Sequence, residues 1–294
     1  MAQQKHEIKV IRGIIFMIIS VTFFNLKDGL AKYLSTTYPI IELLFFQYIV
    51  MFVIILPVVV FRGGWHSIAT KHPYSLLLRG SIGVVAVGLL FAAVSKIPIA
   101  DAYAISFISP IVVTLLSPFL LGENVGIRRW IAVATGFGGV LLVIQPGFQE
   151  FHFGSILAIS AGVMFGLYGI ATRKLTQQEL PQIMMVYTSF VGIVGVSAFL
   201  PSIWVTPQLD HSVMILAMGV LATVGHALMI YSYAAAPATV VTPFLYASII
   251  AATIQGYFIF GDFPNIIAWI GITTIIVCGI YIALREAKQN PSVR

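Results

Sequence analysis

Charged side chains are rare in this sequence, and three of them lie close together after an apolar run. The 294 residues include 16 Lys and Arg and 10 Asp and Glu, yet Lys27, Asp28 and Lys32 fall within six positions, directly after the uncharged run 13–24. A carboxylate inside a membrane is costly, so it usually faces a cavity or a partner and marks a substrate or proton path. Asp28 is therefore a candidate to bind a cationic group or to carry a proton. The alternative is a structural ion pair with Lys32, one helical turn away.

His226 lies near the middle of another apolar stretch, residues 212–234. An imidazole changes its charge near neutral pH, so a histidine at this depth is a candidate proton carrier. A neutral, hydrogen-bonded packing residue is an equally good interpretation. Asp28 and His226 are therefore the candidates for proton coupling.

Uncharged polar side chains in other apolar stretches complete the candidate set. Tyr and Ser hydroxyls beside a helix-breaking proline such as Pro110 can line a cavity. The same groups also join neighbouring helices or lie in interfacial belts, and the sequence leaves both interpretations open. The candidate substrate-binding residues are Asn25, Asp28, Gln47, Tyr103, Ser106, Tyr168, His226, Tyr231 and Tyr246.

Four other charged residues are expected to have structural roles. Arg79 is near the end of its stretch, where a long cationic side chain typically reaches the membrane surface. Glu42 is near the opposite boundary and is expected to be interfacial. Asp101 follows a first-turn proline, where a carboxylate complements the helix dipole. Glu123 follows Gly122 in a turn, and we interpret this pair as a helix stop followed by an acid near the next helix start.

These residues must be positioned by helices in a membrane. The chain is 59% hydrophobic and 9% charged, whereas soluble domains contain about 25% charged residues. A helix needs about 20 apolar residues to cross the hydrocarbon core. The ten stretches that meet this requirement are residues 11–33, 39–61, 74–95, 98–121, 128–144, 154–174, 181–203, 212–234, 238–260 and 265–284.

The first of these helices must include the charged segment. The uncharged run 13–24 would rise only about 18 Å at 1.5 Å per residue, which is too short to cross. The helix is therefore predicted to continue through residues 25–32. At about 100° per residue, Asn25, Asp28 and Lys32 then share one face.

The distribution of cationic residues predicts an orientation. With ten spans and a cytoplasmic N-terminus, only Lys27, Lys32 and Lys96 of the 16 Lys and Arg residues fall in outer connections. Cytoplasmic loops are enriched in Lys and Arg, so both termini are expected in the cytoplasm.

A repeat divides the chain into residues 1–147 and 148–294. Four pairs of like residues are separated by the same 139 positions: Pro98 and Pro237, Gly122 and Gly261, Glu123 and Asp262, Trp130 and Trp269. Because five is an odd number of helices, two five-helix copies enter the membrane in opposite directions. Inverted repeats of this kind are typical of secondary transporters.

The segment 93–147 resembles the EamA family of the drug/metabolite transporter superfamily. The resemblance is carried by Pro110, the Leu-Gly-Glu turn at 121–123, Arg129-Trp130 and a glycine-rich helix ending in Pro146-Gly147. It implies an all-α membrane protein of the bacterial inner membrane, with ten transmembrane helices as two inverted repeats around a central cavity. The family often has an Arg in the second helix, but this chain has Glu42 and Gln47 there, so a less basic site is expected.

The resulting hypothesis is a secondary transporter for a small polar or amphipathic metabolite, such as an amino acid, with efflux favoured by the resemblance. A membrane enzyme or scaffold without transport, or a channel, is the alternative. The sequence has no ATPase, metalloprotease or serine-hydrolase motif, so an enzyme, a cofactor and a metal are not expected. We expect small-molecule and lipid partners, no nucleic acid, and a monomer or homodimer.

Overall fold

The chain folds into α-helices joined by short connections, and the described residues contain no strand. The computed structural model describes residues 2–97, 99–145, 153–260 and 265–288. The prediction of an all-α membrane protein is confirmed. The helices are α1 (Ala2–Leu34), α2 (Ile40–Gly63), α3 (Pro73–Val94), α4 (Ile99–Ser106), α5 (Ser109–Leu120), α6 (Ile127–Ile144), α7 (Phe153–Leu175), α8 (Pro181–Ser197), α9 (Leu209–Ala235), α10 (Ala238–Val241), α11 (Ala247–Phe260) and α12 (Ile266–Lys288).

Eight segments among the described residues are long and apolar enough to cross a membrane. They correspond to eight of the ten predicted spans. The stretches at the other two positions are shorter apolar helices, Pro181–Ser197 and Ala238–Ala251. The first ends early, before a 3₁₀ turn at Leu200–Ser202, and the second is interrupted by Pro243 within the 3₁₀ turn Thr242–Tyr246. The eight segments are Ile8–Leu34, Ile40–Phe61, Pro73–Ala93, Ala102–Leu120, Ile127–Ile144, Phe153–Leu175, Leu209–Ala235 and Ile266–Arg285.

Local sequence signals explain several helix boundaries. Helix α1 continues through the charged segment to Leu34, as the length argument predicts. Pro73 and Pro181 each lie in the first turn of a helix, where the missing N–H has no helical partner. Gly122 adopts φ +68°, a left-handed conformation that costs glycine little, so the predicted helix stop after α5 is confirmed.

Helices from the two parts of the chain pack against each other. Helix α1 packs along α9, α3 along α7, α2 along α8, and α6 along α12. The α6–α12 contact is a backbone contact: a Cβ added to Gly139 would lie 2.9 Å from the carbonyl oxygen of Gly271. Small residues allow this close approach of helices in a membrane.

Some sequence expectations fall on parts of the chain outside the described residues. These are the boundary between residues 147 and 148, Pro98, and the repeat members Gly261 and Asp262. The side chain of Asp101 also lies outside them.

Candidate functional site

Arg79 lies inside the helix bundle, and the expectation that it reaches the membrane surface is wrong. Its side chain in the second turn of α3 is only 1% exposed. Nε donates to Oγ1 of Thr172 at 2.8 Å, and the two terminal nitrogens donate to Oγ1 of Thr188 at 2.6 Å and to Oη of Tyr168 at 2.7 Å. The guanidinium carbon also lies 4.5 Å from the centre of the Tyr168 ring, a cation–π arrangement.

The threonine hydroxyls can accept these bonds because their own protons are used elsewhere. Thr172 donates to the carbonyl of Tyr168 at 2.7 Å, and Thr188 donates to the carbonyl of Met184 at 2.8 Å. Each hydroxyl has one proton and two lone pairs, so its oxygen remains an acceptor for Arg79. Helices α3, α7 and α8 are therefore joined through one guanidinium.

Tyr168 extends this arrangement to His226 on α9. The Tyr168 hydroxyl and Nε2 of His226 are 2.8 Å apart. A guanidinium can only donate, so the Tyr168 oxygen accepts from Arg79, and its bond with His226 adds α9 to the group. The structure thus joins two candidates that the sequence proposed separately. We call Arg79, Tyr168, Thr172, Thr188 and His226 the Arg79 centre.

Glycines allow aromatic rings to pack closely at this centre. A Cβ added to Gly83, one turn after Arg79 on α3, would lie 3.0 Å from the Tyr168 ring. A Cβ added to Gly192 on α8 would lie 2.5 Å from the ring of Tyr48 on α2. The rings consequently pack against helix backbones, which fixes the position of Tyr168.

Asp28 and Tyr103 form a second group of candidates, between α1 and α4. The Asp28 side chain is 53% exposed, and its Oδ1 lies 2.6 Å from Nζ of Lys27. The carboxylate is close enough to act electrostatically on Tyr103, which is 38% exposed. Asn25, one turn before Asp28, donates to the carbonyl of Val21 on its own helix.

The remaining candidates lie elsewhere in the bundle. Ser106 is buried and donates to the carbonyl of Tyr103. Tyr231 is exposed, and its hydroxyl accepts from Gln182 at 3.0 Å. Among the described residues, none of the remaining candidates hydrogen-bonds to the Arg79 centre. The buried hydroxyl of Tyr246 and the half-buried side chain of Gln47 have no hydrogen-bond partner there.

Glu123 joins the two parts of the chain, which is more than the local role expected for it. Its Oε1 accepts the N–H of Ala238 at 2.9 Å, and its Oε2 accepts the N–H and the hydroxyl of Thr239 at 3.1 and 2.8 Å. Nε of Arg173 lies 3.5 Å from Oε1. The carboxylate therefore binds the start of α10 and the end of α7, rather than the start of α6.

Two arginines complete this group. Arg129 is buried and donates to Oγ1 of Thr239 at 2.6 Å. Arg173 donates to the carbonyl of Tyr233 at 2.7 Å, in the last turn of α9, where a cation complements the helix dipole. We call Glu123, Arg129, Arg173 and Thr239 the Glu123 network.

A different group closes the other end of α9. His211, in the first turn of α9, has Nδ1 2.9 Å from the hydroxyl of Tyr38. Glu42, in the first turn of α2, accepts the N–H of Val205 at 3.0 Å, and its side chain is buried within the protein at this end of the bundle. His211 and Tyr233 are separated by about 33 Å along α9 at 1.5 Å per residue. The two groups therefore lie at opposite ends of the bundle.

The described residues contain no evident metal site, because no three of their His, Cys, Asp or Glu side chains lie together. Three hydroxyls, one guanidinium and one imidazole make up the Arg79 centre. Such groups bind and orient a polar solute rather than hold a divalent cation.

Comparisons with known proteins agree with this architecture. The chain is 26% identical to an S-adenosylmethionine uptake transporter of Rickettsia bellii over 94% of each chain, and 27% identical to a riboflavin transporter of Vibrio cholerae over 95% of each. A protein crystal structure shares the fold with a TM-score of 0.77 at 17% identity, covering 94% of this chain and 99% of that one. The EamA-like transporter family matches residues 11–145 and again residues 152–285, so this chain is a multi-pass membrane transporter that belongs to that family.

Proposed function

We propose that this transporter is a secondary carrier that moves a small polar or amphipathic metabolite by alternating access. The observation that carries this proposal is the Arg79 centre, a hydrogen-bonded cationic group built from α3, α7, α8 and α9. A buried charge at membrane depth is costly and typically marks a substrate or ion path. Here the charge lies where helices from both parts of the chain meet, which suits a binding site between two moving halves.

The proposed architecture has ten spans in two inverted halves, residues 1–147 and 148–294, around a central cavity. In such an arrangement α7 is the counterpart of α1, and α9 is the counterpart of α3. The packing of α1 on α9 therefore has an equivalent in the packing of α7 on α3, and both are present. Phe107 and Tyr246 are also separated by the repeat offset of 139 residues, and their rings lie 6.1 Å apart. Equivalent residues meet in this way near a two-fold axis, which supports the inverted arrangement.

The Glu123 network provides a contact that such a carrier must break and reform. Glu123 and Arg129 belong to the first half, and Arg173 and Thr239 to the second. Alternating access requires contacts between the halves at the closed end. The charge distribution supports a cytoplasmic location for this end and for both termini, in a bacterial inner membrane.

The names of the relatives bear on the proposed substrate class and direction of transport. The relatives' names refer to S-adenosylmethionine and riboflavin, which supports a small metabolite, an amino acid or a related compound. The Rickettsia bellii name supports uptake, whereas the family resemblance favours efflux. Asp28 and His226 are the proposed sites of proton coupling, and the carrier is a monomer or homodimer without enzymatic activity.

The test is transport by the purified protein in proteoliposomes. Amino acids, S-adenosylmethionine and riboflavin are assayed for uptake and efflux, with and without an imposed proton gradient. We expect saturable flux of at least one solute and a dependence on the gradient. Absence of flux for every solute, while a known carrier reconstituted in parallel is active, would refute the carrier function.

A further inference from the structure

We infer that Nδ1–H of His226 donates a hydrogen bond to a carboxylate of the transported solute, and that Arg79 supplies the positive charge behind it. The inference rests on the proposed carrier function and assigns a substrate class to the Arg79 centre. It follows from the direction of the hydrogen bonds that join Arg79, Tyr168 and His226, from the accessible Nδ1 of His226, and from the lack of a carboxylate beside Arg79 among the described residues.

We assign the polarity of this hydrogen-bond chain from the position of Arg79. A guanidinium has no acceptor, so the bond of 2.7 Å to Tyr168 uses an Arg79 proton. The adjacent positive charge makes the Tyr168 hydroxyl a stronger donor and a weaker second acceptor, so its proton is assigned to the bond of 2.8 Å with Nε2 of His226. A nitrogen that accepts has no proton of its own, so the neutral ring carries its proton on Nδ1. Every member of the chain thus donates in the direction of Nδ1.

Of the three residues in this hydrogen-bond chain, His226 is the accessible one. Arg79 and Tyr168 are 1% and 7% exposed, whereas His226 is half-buried. Among the described residues, Nδ1 of His226 has no hydrogen-bond partner, and it is not one of the buried polar atoms. The accessible N–H of His226 is therefore the group that we assign to solute contact, while the guanidinium stays covered by the tyrosine.

The charge of Arg79 is not neutralised by a protein carboxylate within the described residues. Its hydrogen bonds go to three hydroxyls, and the ionisable groups that act on it are Tyr168 and Tyr233. A positive charge in a medium of low dielectric attracts an anion and repels a cation. A donor backed by such a charge selects a carboxylate oxygen over a neutral amide, because a hydrogen bond to an ionised acceptor is the stronger one.

The alternative is that Arg79 only ties three helices together. In that case Tyr168 positions the guanidinium, and the direction of the His226 bond has no consequence for solute choice. The two possibilities differ in what happens when only the Tyr168 hydroxyl is removed. Tyr168→Phe keeps the aromatic ring over Arg79 but breaks the chain to His226.

The first test compares matched acids and amides as competitors and as substrates of the reconstituted full-length carrier. The probes are L-methionine with L-methioninamide and L-tyrosine with L-tyrosinamide. We expect the wild-type carrier to prefer the acid by about 10- to 100-fold, the range for a hydrogen bond to a charged group. Tyr168→Phe should reduce that preference to about 3-fold or less, since the bond to His226 is lost. Tyr187→Phe removes a hydroxyl that donates, within the described part of the chain, only to the carbonyl of Ile68, and this variant should keep the preference for the acid.

Several outcomes would overturn the inference. An equal response to acid and amide in the wild-type protein, or an unchanged preference in Tyr168→Phe, would do so. Flux of a solute without a carboxylate, together with no competition by either acid, would also overturn it while leaving the carrier function in place. Absence of all flux would instead remove the carrier function on which it rests.

The second test does not depend on transport. In protein with ¹⁵N-labelled histidine, the His226 resonance is identified by its loss in His226→Gln. We expect the neutral Nδ1–H tautomer at pH 7, and a shift of the Nδ1 resonance when L-methionine, but not L-methioninamide, is added. An Nε2–H tautomer or an imidazolium ring at that pH would contradict the proposed polarity.

Discussion

Arg79 is fully buried and Arg173 is largely buried, yet their charges are held differently. Arg79 donates to three neutral hydroxyls, and its nearest aromatic ring is that of Tyr168. Arg173 lies 3.5 Å from the carboxylate of Glu123 and donates to carbonyls at the end of α9. The first arginine thus lacks a carboxylate partner among the described residues, whereas the second has one.

This difference indicates different uses for the two groups. A cation and an anion that neutralise each other suit a contact between protein segments, because the pair needs nothing else when it is closed. A buried cation without an anion retains a desolvation cost that a negatively charged ligand can offset. We therefore associate the Glu123 network with closure and the Arg79 centre with solute binding.

Removal of the Arg79 charge is expected to have the largest effect. Arg79→Gln should reduce the initial rate of transport by about 100-fold, since the charge and hydrogen bonds to charged groups are lost together. Arg79→Lys should recover only a small part, because one ammonium cannot reach three hydroxyls in a planar fork. Flux into proteoliposomes measures the rates, and thermal unfolding in detergent checks that the variants remain folded. If folded Arg79→Gln transports at the wild-type rate, the assignment of Arg79 to solute binding is wrong.

Glu123→Gln tests the other side of the comparison. The amide nitrogen of Gln would face N–H groups of α10, and Arg173 would lose its counter-charge, so we expect about a tenfold lower flux. Spin labels at Asn124→Cys and Gln178→Cys, in a Cys278→Ser background, report the distance between the halves. In Glu123→Gln, the distribution of distances between the two spin labels should contain an additional, longer component. The control is Asp210→Asn, an exposed acid at the opposite end of α9 that accepts the N–H of the neighbouring His211, and the same change there would show that the effect is not specific.

Asp28→Asn addresses the exposed carboxylate, whose partner Lys27 lies on the same helix. If Asp28 carries the coupled proton, the variant should lose about fivefold in gradient-driven flux, while exchange of solute without a gradient is retained. Flux at several pH values measures this dependence. Asp210→Asn, an exposed acid in the first turn of α9, serves as the control. An unchanged pH profile in Asp28→Asn would reduce Asp28 to a structural residue.

Gly83→Ala should have the smallest effect. The new methyl group would lie 3.0 Å from the Tyr168 ring, so the ring must move by a few tenths of an ångström. We expect about a threefold loss of transport, because the bonds of the Tyr168 hydroxyl become longer. Gly88→Ala on the same helix meets nothing within 4 Å and should transport normally. Equal behaviour of the two variants would mean that the position of Tyr168 does not matter.

Part of the site could be predicted from local sequence, and part could not. Length and charge predict that α1 includes Asp28, and the structure extends this helix to Leu34. Tyr168 and His226 were found as polar groups in apolar stretches. The sequence does not predict the role of Arg79, because Arg79 lies only two turns from a helix start and its partners are 89 to 109 residues away. One local signal existed: Tyr168 and Thr172 lie on one face of a helix, one turn apart.

The sequence by itself determined the class of this protein and the course of its helices. Scarcity of charge, apolar stretches of suitable length and glycine or proline at the ends are local properties, and the membrane converts them directly into spanning helices. Only the tertiary structure decided the pairing of charges, since the partners of Arg79 and Glu123 come from helices far away in the chain. The physical reason is that a buried ion binds whichever acceptors the packed helices bring within about 3 Å. The spacing of residues within one segment does not determine how the helices pack.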